Sequence, residues 1–510
     1  MEAVFVTLYF AVLLILCAYG VHRAHLVFEC VRRRRQLLEA VRPPQIPDDE
    51  LPFVTIQLPL YNEATVVARL LEAAGRMDYP RDRVELQVLD DSNDETCALA
   101  EAKVRELRAA GVLAEYVRRP NRVGYKAGAL DYGLGRAKGE LIAIFDADFV
   151  PQPDFLRAVV GHFADPSVGM VQTRWGHMNK EVSLLTRIQS LMLDGHHLVE
   201  NRARFGAGYM FNFSGTGGIW RRAAIASAGG WQHDTLTEDL DLSYRAQLVG
   251  WRFVYRPDVL TPAELPEDMS AFRAQQFRWA KGTVQTARKL LRRVLTAPLT
   301  VGQRMEACFH LLPHFAYPLT VLLSVLLLPA LILMPATDVR TMLLIDLPLC
   351  IGATGSLATF YAMAESAQGG SVLSAIRRLP ALIALGAGLA PHLTRAVIEG
   401  LRQMSGEFVR TPKRGIFAGR YRQTAQLPLL EMGLALVSFA SVVASIETKH
   451  WFATPFASLF TIGYAYVSML VIAEQIGRRR EARQLVLQGD RVSGTTGPAE
   501  TAASSMANAA

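Results

Sequence analysis

Three groups of carboxylates and one mixed motif carry the residue types that could do chemistry in this chain. The groups and the motif are Asp90 with Asp91, Asp146 with Asp148, Glu238 with Asp239, and Gln275 with Arg278 and Trp279. Carboxylate oxygens bind hard divalent cations or accept a proton during catalysis. An indole beside hydrogen-bonding side chains suits a ligand with both an apolar and a polar face.

The Asp-x-Asp pair brings two hard oxygen donors close together. Asp146 and Asp148 would suit Mg²⁺ or Mn²⁺ holding a diphosphate, with the cation offsetting the charge on a departing group. A polar turn after a strand explains the same residues. Asp91 has two interpretations as well: it could accept from the base or ribose of a nucleotide, or Asp90, Asp91 and their neighbours could cap a helix.

Two further segments are candidates for contacts with a donor substrate and for proton transfer. Lys126 opens a predicted helix with Gly128 beside it, where backbone amides and an ammonium can meet phosphate. Glu238 and Asp239 follow Thr237, and this triplet is typical of a helix start. The functional alternative is that one carboxylate acts as a general base.

Gln275, Arg278 and Trp279 have the spacing i, i+3, i+4, which places them on one face of a helix. A flat indole beside hydrogen-bonding groups suits a sugar ring, whose CH face stacks and whose hydroxyls need partners. A belt of Trp and Arg on a helix at the membrane surface is the competing interpretation.

Alternating strands and helices position these residues. We predict strands over 53–59, 84–89, 114–118 and 141–145, with helices over 62–76, from 90 to about 110, and over 126–136. This alternation predicts a mostly parallel sheet with helices on both faces. Ligands bind beyond the carboxyl ends of such strands, where Asp91 and Asp146 stand.

Composition places this domain beside a membrane. The chain has 510 residues, of which 51% are hydrophobic and 20% charged, and its five cysteines are scattered, so we predict neither a disulfide framework nor a zinc site. The net charge of +7 comes with arginine clusters beside apolar stretches. That pattern favours a lipid surface and argues against nucleic acid as a partner.

Five apolar segments are long enough to span a bilayer, namely 4–22, 311–334, 341–363, 427–446 and 451–474. The first is followed by a basic cluster, so we expect an uncleaved anchor with its N-terminus outside. Residues 380–402 are ambiguous. If they lie in the interface, every basic cluster ends on the cytoplasmic side, and we therefore predict five spans with the catalytic region cytoplasmic, in the plasma (inner) membrane.

The order of these motifs resembles the family 2 processive glycosyltransferases, the group of cellulose, chitin and hyaluronan synthases. Longer runs from Gln172 to His177, Phe211 to Trp220 and Gly230 to Arg245 are most similar to the cellulose-synthase-like A and C branches, which make β-1,4-mannan, glucomannan and glucan backbones. The resemblance covers roughly Pro52 to Gly415. It implies a GT-A-type, Rossmann-like α/β domain, with about five transmembrane helices and interfacial helices.

The resemblance also implies roles for individual residues. They are Asp239 as catalytic base, Asp148 as metal ligand, Asp91, Lys126, Gly128, Asp146, Gln275 and Arg278 as nucleotide or donor contacts, Trp279 and Glu238 as acceptor contacts, and Phe408, Thr411 and Lys413 in a gating loop. Arg410 departs from that loop's pattern, which has valine there. The implied reaction is a single displacement with inversion, from UDP-glucose or GDP-mannose to a growing glycan.

This assignment divides the chain into seven predicted segments: an anchor at 1–25, the GT-A domain at 50–268, an amphipathic interface helix at 269–300, two spans in 307–365, an interfacial segment with the gating loop at 374–425, two spans in 427–476, and a disordered tail at 485–510. Two alternatives stay open. A glycosyltransferase that adds one sugar to a lipid would share the carboxylates, and a transporter would share the spans but would not need the carboxylate clusters.

Overall fold

The computed structural model describes residues 2–34, 43–333, 354–404, 406 and 427–494. The strands are β1 Val54–Leu60, β2 Val84–Asp90, β3 Ala114–Val117, β4 Leu141–Ile144, β5 Val168–His177, β6 Gly218–Arg221 and β7 Arg252–Ala263. The helices before the last strand are α1 Glu2–Arg32, α2 Val67–Gly75, α3 Thr96–Ala109, α4 Tyr125–Leu134, α5 Phe155–Val160, α6 Leu184–Gly195, α7 Asn201–Ala207, α8 Arg222–Ser227 and α9 Glu238–Leu248. Those after it are α10 Met269–Thr296, α11 Val301–Leu311, α12 Ala316–Leu333, α13 Ser356–Ser366, α14 Val372–Arg402, α15 Leu429–Glu447 and α16 Ala453–Gly494.

The seven strands form one sheet in the order β3-β2-β1-β4-β6-β5-β7. Strand β6 runs antiparallel to both of its neighbours, and the other pairs are parallel. The prediction of a mostly parallel sheet is confirmed, because the first four strands lie where the alternation placed them. The register aligns Leu60 at the end of β1 with Asp90 at the end of β2.

Hydrophobic side chains alternate between the two faces of the sheet, as the pleat requires. In β4, Leu141 and Ala143 join the core beneath α2, α3 and α5, whereas Ile142 and Ile144 join the core beneath α4, α8 and α9. All four are fully buried. The sheet is therefore covered on both faces, and its open edge at the strand ends is left for ligands.

The predicted helix over 62–76 begins later in the structure, at Val67. Residues 61–66 form turns, and Asn62 has a left-handed φ of 55°. Its backbone amide donates to Ser92 Oγ at 2.8 Å, so the segment after β1 is held to the segment after β2. A tertiary hydrogen bond has here overridden the helical pattern of the sequence.

Five described helices are long and apolar enough to cross a membrane, by length and composition. They are Val4–Arg32, Pro313–Leu333, Val372–Arg402, Leu429–Glu447 and Ala453–Gly477. Four match predicted spans. The fifth includes the segment that we predicted to lie in the interface, and that placement stays a prediction. Of the predicted span 341–363, residues 341–353 lie outside the described residues, and α13 begins at Ser356.

The last helix, α16, continues to Gly494. The predicted disordered tail was expected to begin at 485, so this boundary is wrong for residues 485–494. Residues 478–485 are arginine, glutamate, alanine, glutamine and leucine, which are good helix formers and continue the helix past the apolar segment, whereas residues 486–494 include Gly489, Asp490 and Gly494 and have no such local preference. The remaining tail residues, 495–510, lie outside the described residues.

Candidate active site

The carboxyl edge of the sheet forms one wall of a cavity of about 180 Å³. The loops after β1, β2 and β4 are among those that reach it, because these strands are neighbours and end at the same edge. Opposite this edge, the first turn of α9 and one face of α10 complete the cavity. Its lining includes all the predicted donor, base and acceptor residues within the described chain except Gly128: Asp91, Lys126, Asp146, Asp148, Glu238, Asp239, Gln275, Arg278 and Trp279.

Asp91 lies at the end of the cavity beyond β2 and is tied to an arginine that the sequence did not single out. Arg119 Nε donates to Asp91 Oδ1 at 2.7 Å, and its Nη2 donates to Oδ2 at 2.5 Å. Both side chains are almost fully buried. The helix-cap alternative is not what the structure shows, because α3 begins five residues later, at Thr96, and the amide of Thr96 bonds to Asp94 instead. Basic residues directly after β3 are the signal that would have found Arg119.

Lys126 reaches from the first turn of α4 to the carboxylates that follow β4. Its ammonium donates to Asp146 Oδ1 and, at 2.8 Å, to the carbonyl of Gly215. Burial lowers the pKa of Lys126, but the Asp146 and Glu238 carboxylates outweigh that effect and raise it overall. The lysine is therefore a fixed positive charge beside the carboxylates.

The two glycines around Lys126 are required by the backbone. Gly124 has a φ of +75°, and a Cβ at Gly128 would lie 2.2 Å from the carbonyl oxygen of Val123. A side chain at either position would displace this turn. Gly128 is thus required for the shape of this turn. Its predicted role as a donor contact stays a prediction.

Asp146 and Asp148 offer carboxylate oxygens suitable for Mg²⁺ or Mn²⁺. Asp148 is buried, and its Oδ2 accepts from the amide of Glu264 at 3.3 Å. Asp146 is more open, with 35% of its side chain exposed, and pairs with Lys126. Since both line the same cavity, the donor set is all oxygen and leaves room for diphosphate oxygens to complete the coordination, so the residues fit a hard divalent cation.

Asp239 has a strongly raised pKa. Burial, with a further contribution from the neighbouring Glu238 carboxylate, raises it to about 7, although the backbone amide of Leu240 stabilises the charged form at 2.8 Å from Oδ1. Glu238 also has a raised pKa, because burial outweighs the favourable charge of Lys126. A carboxylate whose pKa lies near the working pH is suited to accept a proton during a reaction.

The predicted helix start at Thr237 is confirmed, but the threonine side chain does not form the capping hydrogen bond that was expected. Thr237 occupies the N-cap position of α9 without a capping hydrogen bond from its side chain. Its hydroxyl instead lies 3.1 Å from that of Thr286 on α10. This contact ties the turn that carries Glu238 and Asp239 to the helix that carries Gln275.

The helical-face prediction for α10 agrees with the structure, since Gln275, Arg278 and Trp279 all line the cavity. Burial lowers the pKa of Arg278, and this effect outweighs the Glu238 and Asp146 carboxylates, which raise it. The guanidinium therefore faces the carboxylates from the opposite wall, where it can also meet a diphosphate.

A second cavity, of about 330 Å³, joins the first one. Both are lined by Asp239, Gln275 and Trp279, and the second extends to His22 on α1 and to His314 after α11. Three further residues line both cavities and had no predicted role, Trp175, Leu193 and Ser214. An aromatic side chain at the end of a strand, next to a loop with glycines, is the signal that would have suggested Trp175.

The predicted gating-loop residues Phe408, Thr411 and Lys413, with Arg410, lie outside the described residues. The chain is described up to Met404 and again at Gly406, where an added Cβ would lie 3.4 Å from Lys281 Nζ on α10. Their assignment to a gating loop stays a prediction.

Known proteins match this chain over both its catalytic and its membrane-associated parts. The family described as "Glycosyltransferase like family 2" matches residues 52–282. "Glucomannan 4-beta-mannosyltransferase 2" of Arabidopsis thaliana is 43% identical over 258 residues, which are 49% of this chain and 48% of that protein. The chain thus spans about half the length of this relative.

"Glucomannan 4-beta-mannosyltransferase 1" of Cyamopsis tetragonoloba is 31% identical over 476 residues, 88% of each chain. Among solved structures, a mannosyltransferase from Pyrobaculum calidifontis in complex with GDP-Man and Mn²⁺ has a TM-score of 0.46 at 23% identity, over 76% of this chain and 99% of that one. The length of the match to the Cyamopsis protein shows that this chain belongs to the family 2 glycosyltransferases, in the cellulose-synthase-like A group of the glucomannan 4-β-mannosyltransferases.

Proposed function

We propose that this protein is a membrane-embedded inverting glycosyltransferase that extends a β-1,4-linked mannan or glucan from a nucleotide sugar. The observation that carries the proposal is the junction of the two cavities. Asp239, Gln275 and Trp279 line both, so a donor in the first cavity and a glycan in the second would meet at a carboxylate whose pKa is about 7.

The first cavity takes the donor. Lys126 and Arg278 bring two positive charges to its carboxylate-lined centre, and Gln275 adds an amide. Asp148, with Asp146 beside it, would hold Mg²⁺ or Mn²⁺, which when bound supplies charge compensation for the diphosphate. The side chains of Arg278 and Lys126 bind the same diphosphate directly and so orient the anomeric carbon of the sugar toward Asp239.

The reaction is a single displacement. Asp239 accepts the proton of an acceptor hydroxyl, whose oxygen forms a bond to the anomeric carbon as the bond from that carbon to the diphosphate oxygen breaks. The electron pair leaves with the nucleoside diphosphate. Attack from the side opposite the leaving group converts an α-linked donor into a β-linked product.

The second cavity takes the acceptor. Trp279 offers an indole face at its entrance, and the cavity then runs between the catalytic domain and α1, the first candidate membrane span. Glu238 lies beside the base but lines only the first cavity, so as an acceptor contact it would meet the terminal sugar where that sugar faces the donor. A chain of sugars threaded along this path would leave toward the membrane helices. Because the arginine clusters flank the apolar segments on one side, we propose a cytoplasmic catalytic domain and helices in the plasma membrane.

GDP-mannose is the donor that we favour over UDP-glucose, because the long-matching relatives are glucomannan 4-β-mannosyltransferases. The test uses membranes containing the full chain, given a panel of labelled nucleotide sugars with Mg²⁺ or Mn²⁺. We expect a polymer from GDP-mannose that a β-1,4-mannanase degrades. A polymer formed only from UDP-glucose and degraded by a β-1,4-glucanase would show that UDP-glucose is the donor. A single labelled sugar on a lipid would show that the protein adds one sugar to a lipid acceptor and does not polymerise.

A further inference from the structure

Helix α10 presents Gln275, Arg278 and Trp279 to the two cavities, and carboxylates from the membrane helices contact it elsewhere. Each of the last three helices, α14, α15 and α16, contributes one of these carboxylates. In chain order they are Glu399, Glu431 and Glu474. None of the three lines either cavity, and the proposed mechanism uses none of them.

Glu474 on α16 takes the place of an N-cap for α10. The side chain of Asp268, the residue before the helix, makes no capping hydrogen bond. Glu474 instead accepts from the backbone amide of Met269 at 2.6 Å and from that of Ser270 at 3.1 Å. These amides have no partner within their own helix, and a carboxylate is favoured at this end of the helix dipole. Helix α16 therefore fixes the first turn of α10.

Glu431 on α15 holds the next turn through Arg273. The Nη2 of Arg273 donates to Glu431 Oε1 at 2.7 Å, and the two side chains are only 9% and 6% exposed. Breaking one partner of a buried ion pair is far more costly than breaking a pair at the surface. This ion pair therefore constrains α10 two residues before Gln275.

Glu399 on α14 holds α10 on the other side of the motif. Lys281, two residues after Trp279, donates to Glu399 Oε2 at 3.1 Å. The backbones are also close here, because a Cβ added to Gly400 would lie 2.9 Å from the carbonyl oxygen of Lys281. The residues from Gln275 to Trp279 thus lie between two ion pairs to membrane helices.

The ion pairs and the motif lie on opposite sides of α10. Successive residues of a helix are rotated by about 100°, so Arg273 and Gln275 point about 160° apart, as do Lys281 and Trp279. The motif faces the cavities, whereas the two cations meet α14 and α15. A change in these ion pairs would move α10 and would carry Arg278 with it.

We infer that Glu399 and Glu431 are positioning residues, which set the place of Arg278 and Trp279 in the active site by fixing the opposite side of α10, with Glu474 as a third support. A misplacement of about 1 Å in a binding group can cost about 100-fold in rate, so contacts remote from the ligand can matter. The inference rests on the proposed function, in which Arg278 meets the diphosphate of the donor.

The test measures binding of GDP and of UDP to the full-length, detergent-solubilised protein with Mg²⁺, and follows the tighter of the two in the variants. Arg278→Ala should weaken binding by about tenfold or more, the value of a charge-assisted hydrogen bond. Glu431→Gln keeps the size but removes the charge, and should weaken binding by about fivefold because Arg278 shifts. Glu399→Gln should act in the same direction. Combining Glu431→Gln with Arg278→Ala should leave the affinity within about twofold of Arg278→Ala alone, because the carboxylate acts through the arginine.

Two further variants separate positioning from stability. Glu447→Gln removes an exposed carboxylate at the other end of α15 and is the matched control, with unchanged affinity. Because a broken buried pair can unfold the protein, Arg273→Met combined with Glu431→Met replaces both partners by apolar side chains, an exchange that is often neutral for stability. This double variant should fold and bind the nucleotide about as weakly as Glu431→Gln.

Additive effects of Glu431→Gln and Arg278→Ala would overturn the inference, since the carboxylate would then act independently of the arginine. Wild-type affinity in the apolar double variant would also overturn it. So would a lower midpoint of thermal unfolding with unchanged affinity in Glu431→Gln, which is the result of a purely structural role. Because binding is measured without sugar transfer, the expected affinities in a protein that makes no β-linked polymer would refute the proposed function alone. Binding of neither nucleotide would refute both.

Discussion

Asp239 combines two properties that a general base needs. Burial and the adjacent Glu238 carboxylate raise its pKa to about 7, and the amide of Leu240 holds one of its oxygens. A proton taken from a sugar hydroxyl is retained better at this carboxylate than at one with the usual pKa. The residue types of the triplet Thr237 to Asp239 allowed this role in the sequence, but the burial that contributes most to the raised pKa is visible only in the structure.

Replacing Asp239 with Asn should abolish sugar transfer without abolishing nucleotide binding. The amide keeps the shape of the side chain but cannot take the proton, so kcat should fall at least about 100-fold. Affinity for GDP should change by less than about twofold, because the side chain faces the acceptor. Asp234→Asn, on the outer side of the same loop, is the control. Equal loss of binding and transfer would remove the general-base role.

The rate should rise with pH around neutrality. Because burial raises the pKa of Asp239 to about 7, the group is protonated and inactive as a base below that pH. The value of kcat/KM should increase about tenfold per pH unit below 7 and level off above it. Glu238→Gln removes the neighbouring negative charge and should shift this rise to lower pH. A profile that is flat from pH 5.5 to 8 in both proteins would contradict the assignment.

Trp279→Ala should impair acceptor use more than donor use. The indole lines the junction of the two cavities, where its face can stack on a sugar ring. Polymer yield should fall several-fold more than hydrolysis of the nucleotide sugar, measured as release of nucleoside diphosphate. Trp279→Phe keeps an aromatic face and should recover part of the yield. Unchanged polymer yield in the alanine variant would exclude stacking at this position.

At the scale of elements, helices α14 and α16 approach each other through glycines. A Cβ on Gly463 would lie 2.1 Å from the carbonyl oxygen of Ala384, and one on Gly388 would lie 2.2 Å from the carbonyl oxygen of Gly463. Small residues allow membrane helices to pack backbone against backbone. This contact positions α14, which in turn packs against α10 through Gly400.

Gly463→Leu should therefore separate α14 from α16 and lower stability. The overpacked contact should cost about 1–3 kcal/mol, seen as a lower midpoint of thermal unfolding in detergent. Gly433→Leu on α15 is the matched control, because no atom lies within 4 Å of the added Cβ. A midpoint for Gly463→Leu equal to that of the control would show that the two helices do not depend on this contact.

At the scale of the whole molecule, buried ion pairs and hydrogen bonds to carboxylates connect the catalytic domain to the surrounding helices. Glu306 on α11 accepts from Arg204 Nε on α7 at 2.8 Å and lies 2.6 Å from the ring of His22 on α1. Glu474 on α16 accepts from the amides of Met269 and Ser270 at the start of α10. The membrane helices thus hold the elements that line the second cavity.

Glu306→Ala should destabilise the protein strongly. It leaves Glu200 as the remaining ion-pair partner of the buried Arg204, at 3.3 Å, and removes the hydrogen bond to Arg204 Nε, a loss that costs about 1–3 kcal/mol for a buried donor. Glu115→Ala breaks a half-exposed pair with Arg136 and should cost less than about 1 kcal/mol. Chemical denaturation of the purified proteins measures both. Equal stabilities of the two variants would show that the contacts of Glu306 do not stabilise the packing of the catalytic domain against α1.

The sequence by itself was sufficient for the four parallel strands, the loops that carry the carboxylates and the common face of Gln275, Arg278 and Trp279. Those features follow from local periodicity and from the rule that parallel strands end at one edge. Only the tertiary structure decided that Arg119 grips Asp91, that Arg122 stacks on Tyr61 and that Thr237 bonds to Thr286 rather than capping its helix. These contacts join residues far apart in the chain or in separate elements, and their energies depend on burial and distance, which no local pattern specifies.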